Sequence, residues 1–200
     1  MKSTFLDFYD RKLILASKSP RRQDIFNMVG LDFNVHPSNY QENKQPHKSP
    51  AELALYHSRA KCQDVANDYQ DAWIIGADTI VVINNEILEK PHNAADAKNM
   101  LHKLSGATHE VITGYTILNS ENGKKLSAFE STRVTFHELA PELIKHYIDN
   151  YKYEDKAGSY AIQDFSALFV KGIDGCFYNV VGFPIAAFCQ LVKNKLSTCL

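Results

Sequence analysis

Short apolar segments, many of them rich in β-branched residues, alternate with amphipathic helical segments along this sequence of 200 residues. Strands are predicted at residues 13–16, 73–77, 79–83, 109–119 and 126–137, and shorter ones near residues 159–162, 167–170 and 177–180. Helices are predicted to begin near Ser19, Ser49, Asn93, Pro141 and Pro184. Because several strands are joined by hairpins, we expect an α/β fold with a twisted mixed sheet and flanking helices.

The net charge of the chain bears on which classes of molecule the protein can bind. The chain carries 22 Lys and Arg residues against 23 Asp and Glu residues, which leaves a net charge of −1. Without a global basic field or an aromatic–basic stripe, a nucleic-acid-binding module is disfavoured. An anionic ligand would therefore need a local cluster of positive charge.

Length and cysteine pattern favour one domain in a reducing compartment. We expect a single domain over residues 1–200, with residues 1–12 as an N-terminal extension. The four cysteines form no C-x-x-C pair, so free thiols are expected; they are Cys62, Cys176, Cys189 and Cys199. No apolar run approaches the roughly 20 residues that cross a bilayer, and we expect a cytoplasmic protein without a membrane partner.

The first candidate site is the turn that follows the first strand, residues 17–22. Ser19 and Pro20 suit the start of a helix, whose unpaired N–H groups and partial positive charge favour anions. With Ser17, Arg21 and Arg22 added, the turn would make a phosphate clamp. A capped helix with two solvated arginines explains the same residues about equally well.

The second candidate is Asp78, which stands between two apolar segments of strand type. A carboxylate in such surroundings is costly unless it is paired, hydrogen-bonded or bound to a metal. The alternative is a surface turn in which backbone N–H groups satisfy the carboxylate. The apolar flanks favour the functional interpretation.

Other residues point to chemistry only weakly when taken singly. Glu42 lies in a long polar loop, residues 36–50, and long loops in compact domains are often functional. Lys90 and Lys156 each stand near a helix-breaking residue, and Gln163 follows a short apolar run. Most single lysines are solvated surface charges. The eight histidines form no H-E-x-x-H motif, and neither a Walker A loop nor G-x-S-x-G is present.

Six of these segments, in order, resemble the Maf family of nucleoside triphosphate pyrophosphatases. They are residues 15–22, 76–79, 89–91, 104–106, 155–160 and 181–184, and the resemblance runs from Leu13 to about Val192. It implies a two-lobed α/β fold, related to that of the inosine triphosphate pyrophosphatases, with a nucleotide cleft between the lobes. It also implies a nucleoside triphosphate substrate, a divalent cation, a cytoplasmic location and a homodimer.

The resemblance also implies roles for single residues. Asp78 matches the general base that accepts the proton, and Glu42 with Asp78 matches the ligands of Mg²⁺ or Mn²⁺. Arg59 stands near the place of a cleft lysine in the second helix. The positions that match substrate binding and specificity are Ser17, Ser19, Arg21, Arg22, Thr79, Lys90, Lys156 and Gln163.

Within the family, this chain resembles a branch that acts on dTTP and UTP, because Arg21, Thr79 and Gln163 match that branch. The expected products are a nucleoside monophosphate and pyrophosphate. A sister branch that prefers 7-methyl-GTP is one alternative, and a non-catalytic nucleotide-binding regulator of cell division is another. Residues 164–166 depart from the family pattern of small residues and bear on the base pocket.

Overall fold

The computed structural model describes residues 11–43, 45 and 47–196, so the expected N-terminal extension lies almost wholly outside the described residues. The strands are β1 (Lys12–Leu15), β2 (Asn34–Val35), β3 (Ala72–Ile83), β4 (Glu86–Leu88), β5 (Thr108–Asn119), β6 (Lys125–Phe136) and β7 (Val170–Asp174). The helices are α1 (Pro20–Met28), α2 (Pro50–Ala66), α3 (Ala94–Leu104), α4 (Pro141–Asn150), α5 (Phe177–Val181) and α6 (Ile185–Leu196). Two 3₁₀ helices cover Ala157–Ser159 and Phe165–Phe169.

The described strands form a sheet in the order β2-β1-β3-β5-β6-β7, with β4 paired to β3. β1 pairs in parallel with both β2 and β3, whereas β3–β4 and β6–β7 are antiparallel. The predicted α/β class with a mixed sheet is therefore confirmed. One of the expected hairpins joins β3 to β4 through Asn84 and Asn85, which both have positive φ angles.

Two predictions from the sequence are wrong. β3 runs without a break through Asp78, so no turn separates residues 73–77 from residues 79–83. Short strands predicted near residues 159–162 and 177–180 are replaced by 3₁₀ and α-helical turns. The strand predicted near residues 167–170 begins only at Val170, after a 3₁₀ helix. Gly158 and Ser159 have φ angles of 66° and 65°, which no strand accommodates.

The first of two compact units comprises Met1–Asp78, Thr113–Glu130 and Gly182–Leu200. In it α2 packs unusually close to the strands, because two strand positions carry no side chain. A Cβ atom on Gly114 would lie 2.4 Å from the carbonyl carbon of Ala54, and one on Gly76 would lie 2.6 Å from the carbonyl oxygen of Ser58. α2 begins after Ser49, as predicted, and Ser49 and Glu52 form a capping box at its N-terminus.

One face of α2 also anchors the polar loop. The carboxylate of Asp64 accepts hydrogen bonds from the Ser38 hydroxyl at 2.8 Å and from the backbone N–H of Asn39 at 2.7 Å. Two helical turns earlier, His57 Nδ1 lies 3.1 Å from the Tyr40 hydroxyl. His57 and Asp64 are seven residues apart and therefore share a face of the helix.

The second unit comprises Thr79–Ile112 and Ser131–Val181. At its centre His109, which is 2% exposed, has Nε2 2.7 Å from the hydroxyl of Tyr160, and both rings pack edge-on against Phe136. Burial lowers the pKa of His109 to about 4, so the imidazole is neutral in the folded protein at neutral pH.

No helix in the described part of the chain is long and apolar enough to span a bilayer. Cys62, Cys176 and Cys189 are free thiols, as expected, and Cys199 lies outside the described residues.

We expect His109 to make the free energy of unfolding fall as the pH drops from 6.5 to 4. In that range the unfolded chain protonates this histidine and the folded chain does not, so stability is lost on acidification, by up to about 3 kcal/mol. Urea unfolding at a series of pH values measures this loss. His109→Gln keeps a polar partner for Tyr160 but does not titrate, and its profile should be flatter; parallel profiles would contradict the assignment.

Asp64→Ala should loosen the polar loop without unfolding the protein. Hydrogen bonds to a carboxylate contribute about 1.5–3 kcal/mol each, so amide exchange at Asn39 should accelerate by roughly tenfold or more. Hydrogen exchange measures this change. Asp149→Ala, which breaks an exposed ion pair with Lys145 on α4, is the matched control. Equal exchange rates at Asn39 in the two variants would show that Asp64 does not hold the loop.

Candidate active site

The predicted phosphate clamp lies where β1 gives way to α1. β1 ends beside β3, with the Ala16 N–H donating to the Ile75 carbonyl at 2.7 Å. The Ser17 hydroxyl oxygen accepts hydrogen bonds from the Ser19 N–H at 3.2 Å and from Arg22 Nη1 at 3.1 Å. Ser19 precedes α1 in an extended conformation, but its side chain makes no capping hydrogen bond.

Arg22 is held in place from two sides. Besides the bond to Ser17, its Nε donates to the carbonyl of Gly182 at 2.8 Å, so the last of the six sequence motifs meets the first. Burial lowers the pKa of Arg22, while the charges of Asp78 and Glu42 raise it in opposition. The guanidinium therefore carries its charge in the field of both carboxylates.

The strand register places Asp78 at the same edge of the sheet. Leu15 of β1 pairs with Ile75 of β3, so Asp78 stands three residues beyond the end of β1 on the neighbouring parallel strand. β1 has β2 on one side and β3 on the other, so the connections from β1 to β2 and from β2 to β3 run in opposite directions across the sheet. The carboxyl end of β1 is therefore a topological switch point. Open α/β sheets bind ligands outside the carboxyl ends of their strands at such a point.

Asp78 is buried and paired with a lysine that the sequence analysis missed. It is 7% exposed, and its Oδ1 accepts a hydrogen bond from Lys61 Nζ at 2.7 Å. The same ammonium lies 2.7 Å from Glu42 Oε1. One cation thus holds together the two carboxylates that were predicted as a pair.

The prediction for Arg59 is corrected by this geometry. Arg59 is exposed, and its Nε donates to the Ser127 hydroxyl at 3.1 Å. Lys61 lies four residues after His57 and three before Asp64, on the face of α2 that carries the polar loop. That spacing from His57 and Asp64 is the sequence pattern that could have identified Lys61.

The pair of carboxylates fits a hard divalent cation. Carboxylate oxygens are preferred ligands of Mg²⁺ and Mn²⁺, and Asp78 and Glu42 already converge on one positive charge. Residues 11–43, 45 and 47–196 contain no cluster of three or more His, Cys, Asp or Glu side chains that could hold a metal.

Arg21 lies half-buried in α1, and the remaining candidates lie in the second unit. Thr79 is half-buried, next to Asp78 in sequence, and Lys90 is exposed after β4. The carbonyl of Glu89 accepts a hydrogen bond from the Gly158 N–H at 3.2 Å, which ties this segment to the first 3₁₀ helix. Gly158 also packs on β3, since a Cβ there would lie 3.1 Å from Val81.

Lys156, predicted to bind substrate, has its ammonium group buried and paired. It is 8% exposed, and its Nζ lies 2.6 Å from Asp164 Oδ2. Gln163, next to this aspartate in sequence, is exposed. Whether one cleft gathers the residues of both units stays a prediction.

Comparison with known proteins gives concordant results. The family model of Maf-like proteins matches residues 12–195. The dTTP/UTP pyrophosphatase of Pyrococcus furiosus is 45% identical over 183 residues, which cover 92% of this chain and 95% of the relative. That of Ruminiclostridium cellulolyticum is 49% identical over 176 residues, 88% of this chain and 91% of the relative.

A solved structure of a nucleoside-triphosphatase / dITP/XTP pyrophosphatase from Mycobacterium abscessus aligns with a TM-score of 0.39 at 12% identity. The alignment covers 62% of this chain and 72% of that one, and this likeness is too low to bear on fold or function. The family match and the two relatives suffice to confirm the resemblance found in the sequence. The chain belongs to the Maf family.

Proposed function

We propose that this protein hydrolyses dTTP and UTP to the nucleoside monophosphate and pyrophosphate. The observation that carries the proposal is the buried Asp78, which Lys61 holds beside Glu42 at the sheet edge where α1 begins. The names of the relatives from Pyrococcus furiosus and Ruminiclostridium cellulolyticum support the same activity.

The N-terminal turn of α1 would bind the phosphates. A triphosphate is strongly anionic, and more charge develops on the pyrophosphate as it leaves. Arg22 is preorganised for this task, because hydrogen bonds to Ser17 and Gly182 already fix its guanidinium. Arg21, Ser17 and Ser19 would add donors beside the positive end of the helix.

Glu42 and Asp78 would hold a divalent cation, Mg²⁺ or Mn²⁺. When bound, such an ion stabilises charge on the phosphates and lowers the pKa of a coordinated water. Lys61 holds both carboxylates close together, which prepares the site for the ion.

Asp78 would accept the proton from the attacking water. The water oxygen forms a bond to the α-phosphorus, the bond from that phosphorus to the bridging oxygen breaks, and the pyrophosphate carries away the bonding electrons. The proton of the water passes to the Asp78 carboxylate. Because Asp78 lies on a rigid strand with its Oδ1 fixed by Lys61, its position relative to the phosphates is set in advance.

Base selection is assigned to Thr79 and Gln163, together with Arg21. The carboxamide of Gln163 offers both a donor and an acceptor, which complements the O4 and N3–H edge of uracil and thymine.

We also propose that the protein is a homodimer and is located in the cytoplasm, where the free thiols would stay reduced.

The direct test is pyrophosphate release by purified protein from the common triphosphates and 7-methyl-GTP, with Mg²⁺ or Mn²⁺ and with excess EDTA. We expect dTTP and UTP to be the best substrates and chelator to abolish turnover. A preference for 7-methyl-GTP would overturn the substrate assignment, and full turnover in EDTA would overturn the role of the metal. Nucleotide binding without any release would leave the non-catalytic regulator as the better description.

Asp78→Asn should abolish turnover and leave the fold intact. Asn preserves size and a carbonyl oxygen but cannot accept the proton, and loss of a general base costs on the order of 10²–10⁴-fold in kcat. Pyrophosphate release and a melting curve on the same preparation measure both effects. Asp71→Asn removes an exposed carboxylate paired with Arg11 and serves as the control. Turnover close to wild type in Asp78→Asn would place the base elsewhere.

A further inference from the structure

Lys156 has its donors satisfied inside the second unit. Its ammonium bonds Asp164 Oδ2 at 2.6 Å, contacts the carbonyl of Lys152, and lies 3.5 Å from the hydroxyl of Tyr147. An ammonium has three donors, and three acceptors surround this one. A buried charge in this arrangement is neutralised by its neighbours, so little of its field is left for a phosphate.

Asp164 uses its other oxygen to close a turn. Oδ1 accepts hydrogen bonds from the Ser166 N–H at 2.9 Å and from the Ser166 hydroxyl at 2.6 Å. The Asp164 N–H donates to the carbonyl of Ala161 at 3.1 Å. Gln163 is exposed within this turn, immediately before the aspartate.

The other end of the same segment is fixed as well. Tyr160 is held by His109, and the Ser159 hydroxyl is buried against the sulfur of Met100 at 3.2 Å. The backbone from Tyr160 to Asp164 therefore runs between two anchors. Of these, the Lys156–Asp164 pair lies next to Gln163 and is formed by a residue that departs from the family pattern of small residues.

We propose that Lys156 and Asp164 act together as positioning residues that hold the Gln163 carboxamide in place for the base, and that Lys156 is not a phosphate ligand. This inference rests on the proposed hydrolysis of dTTP and UTP. It makes Asp164 a determinant of the preference for uracil and thymine over cytosine, through the turn that it closes.

The two roles for Lys156 predict opposite behaviour. A phosphate ligand contributes equally to every triphosphate, so its loss would raise the KM for UTP and CTP alike. Neutralising Asp164 would then release the lysine and leave substrate affinity unchanged or improved. A positioning pair instead makes the two single variants alike, makes the double variant no worse than either, and confines the effect to base discrimination.

The test is steady-state kinetics with UTP and CTP for Asp164→Asn, Lys156→Met and the double variant. We expect each to lower the UTP-over-CTP ratio of kcat/KM by roughly tenfold, mainly through a higher KM for UTP, with kcat changed by less than about threefold. Asp155→Asn and Lys152→Met, at exposed positions, are the matched controls. Asp164→Asn keeps an oxygen for Ser166, so the turn survives in part.

Gln163→Ala should reproduce the loss of discrimination, and Asp164→Asn decides between the two roles if Lys156→Met does not fold. An Asp164→Asn variant with the wild-type UTP-over-CTP ratio would overturn the inference, as would a Lys156→Met variant impaired equally on both nucleotides. These outcomes require an active wild-type protein. A wild-type protein that releases no pyrophosphate from any triphosphate would overturn the proposed function itself, and the positioning role with it.

Discussion

A single ammonium group, that of Lys61, pairs with the buried carboxylate of Asp78 and holds Glu42 beside it. Asp78 lies in the middle of an apolar strand, where an unpaired carboxylate would be too costly to keep ionised. Lys61 reaches it because α2 packs almost directly on the strand backbone, and that approach exists because Gly76 carries no side chain. The two glycines, Gly76 and Gly114, thus determine how close α2 lies to the strands and where the ammonium group of Lys61 is placed.

The same helix organises a loop that has no aliphatic side chain to bury. Residues 36–50 contain no Ala, Val, Ile, Leu or Met, so polar groups on one face of α2 hold the described part of the loop, together with the ring of Tyr40 against His57. Asp64 binds the backbone near Ser38, and Lys61 receives Glu42. The surface loop thereby places the carboxylate of Glu42 close to Asp78 before a ligand binds.

The second unit uses a different device, burial of polar side chains in neutral pairs. His109 stays uncharged against Tyr160, and the charge of Lys156 is cancelled by Asp164. Both pairs restrict the backbone between Tyr160 and Asp164, although this segment contains no regular strand. Rigidity in this segment comes from hydrogen bonds to side chains distant in sequence, such as His109 to Tyr160.

Local patterns in the sequence were sufficient for the class of fold, for the capped helices at Ser49 and Asn93, and for Asp78 as the unusual carboxylate. These depend on neighbours a few residues apart, which a sequence displays directly. The partners of charged residues were decided only by tertiary structure: Lys61 rather than Arg59 meets Asp78, and Lys156 meets Asp164. A lysine looks the same in sequence whether it is solvated or paired, because its partner is chosen by how helices and strands pack.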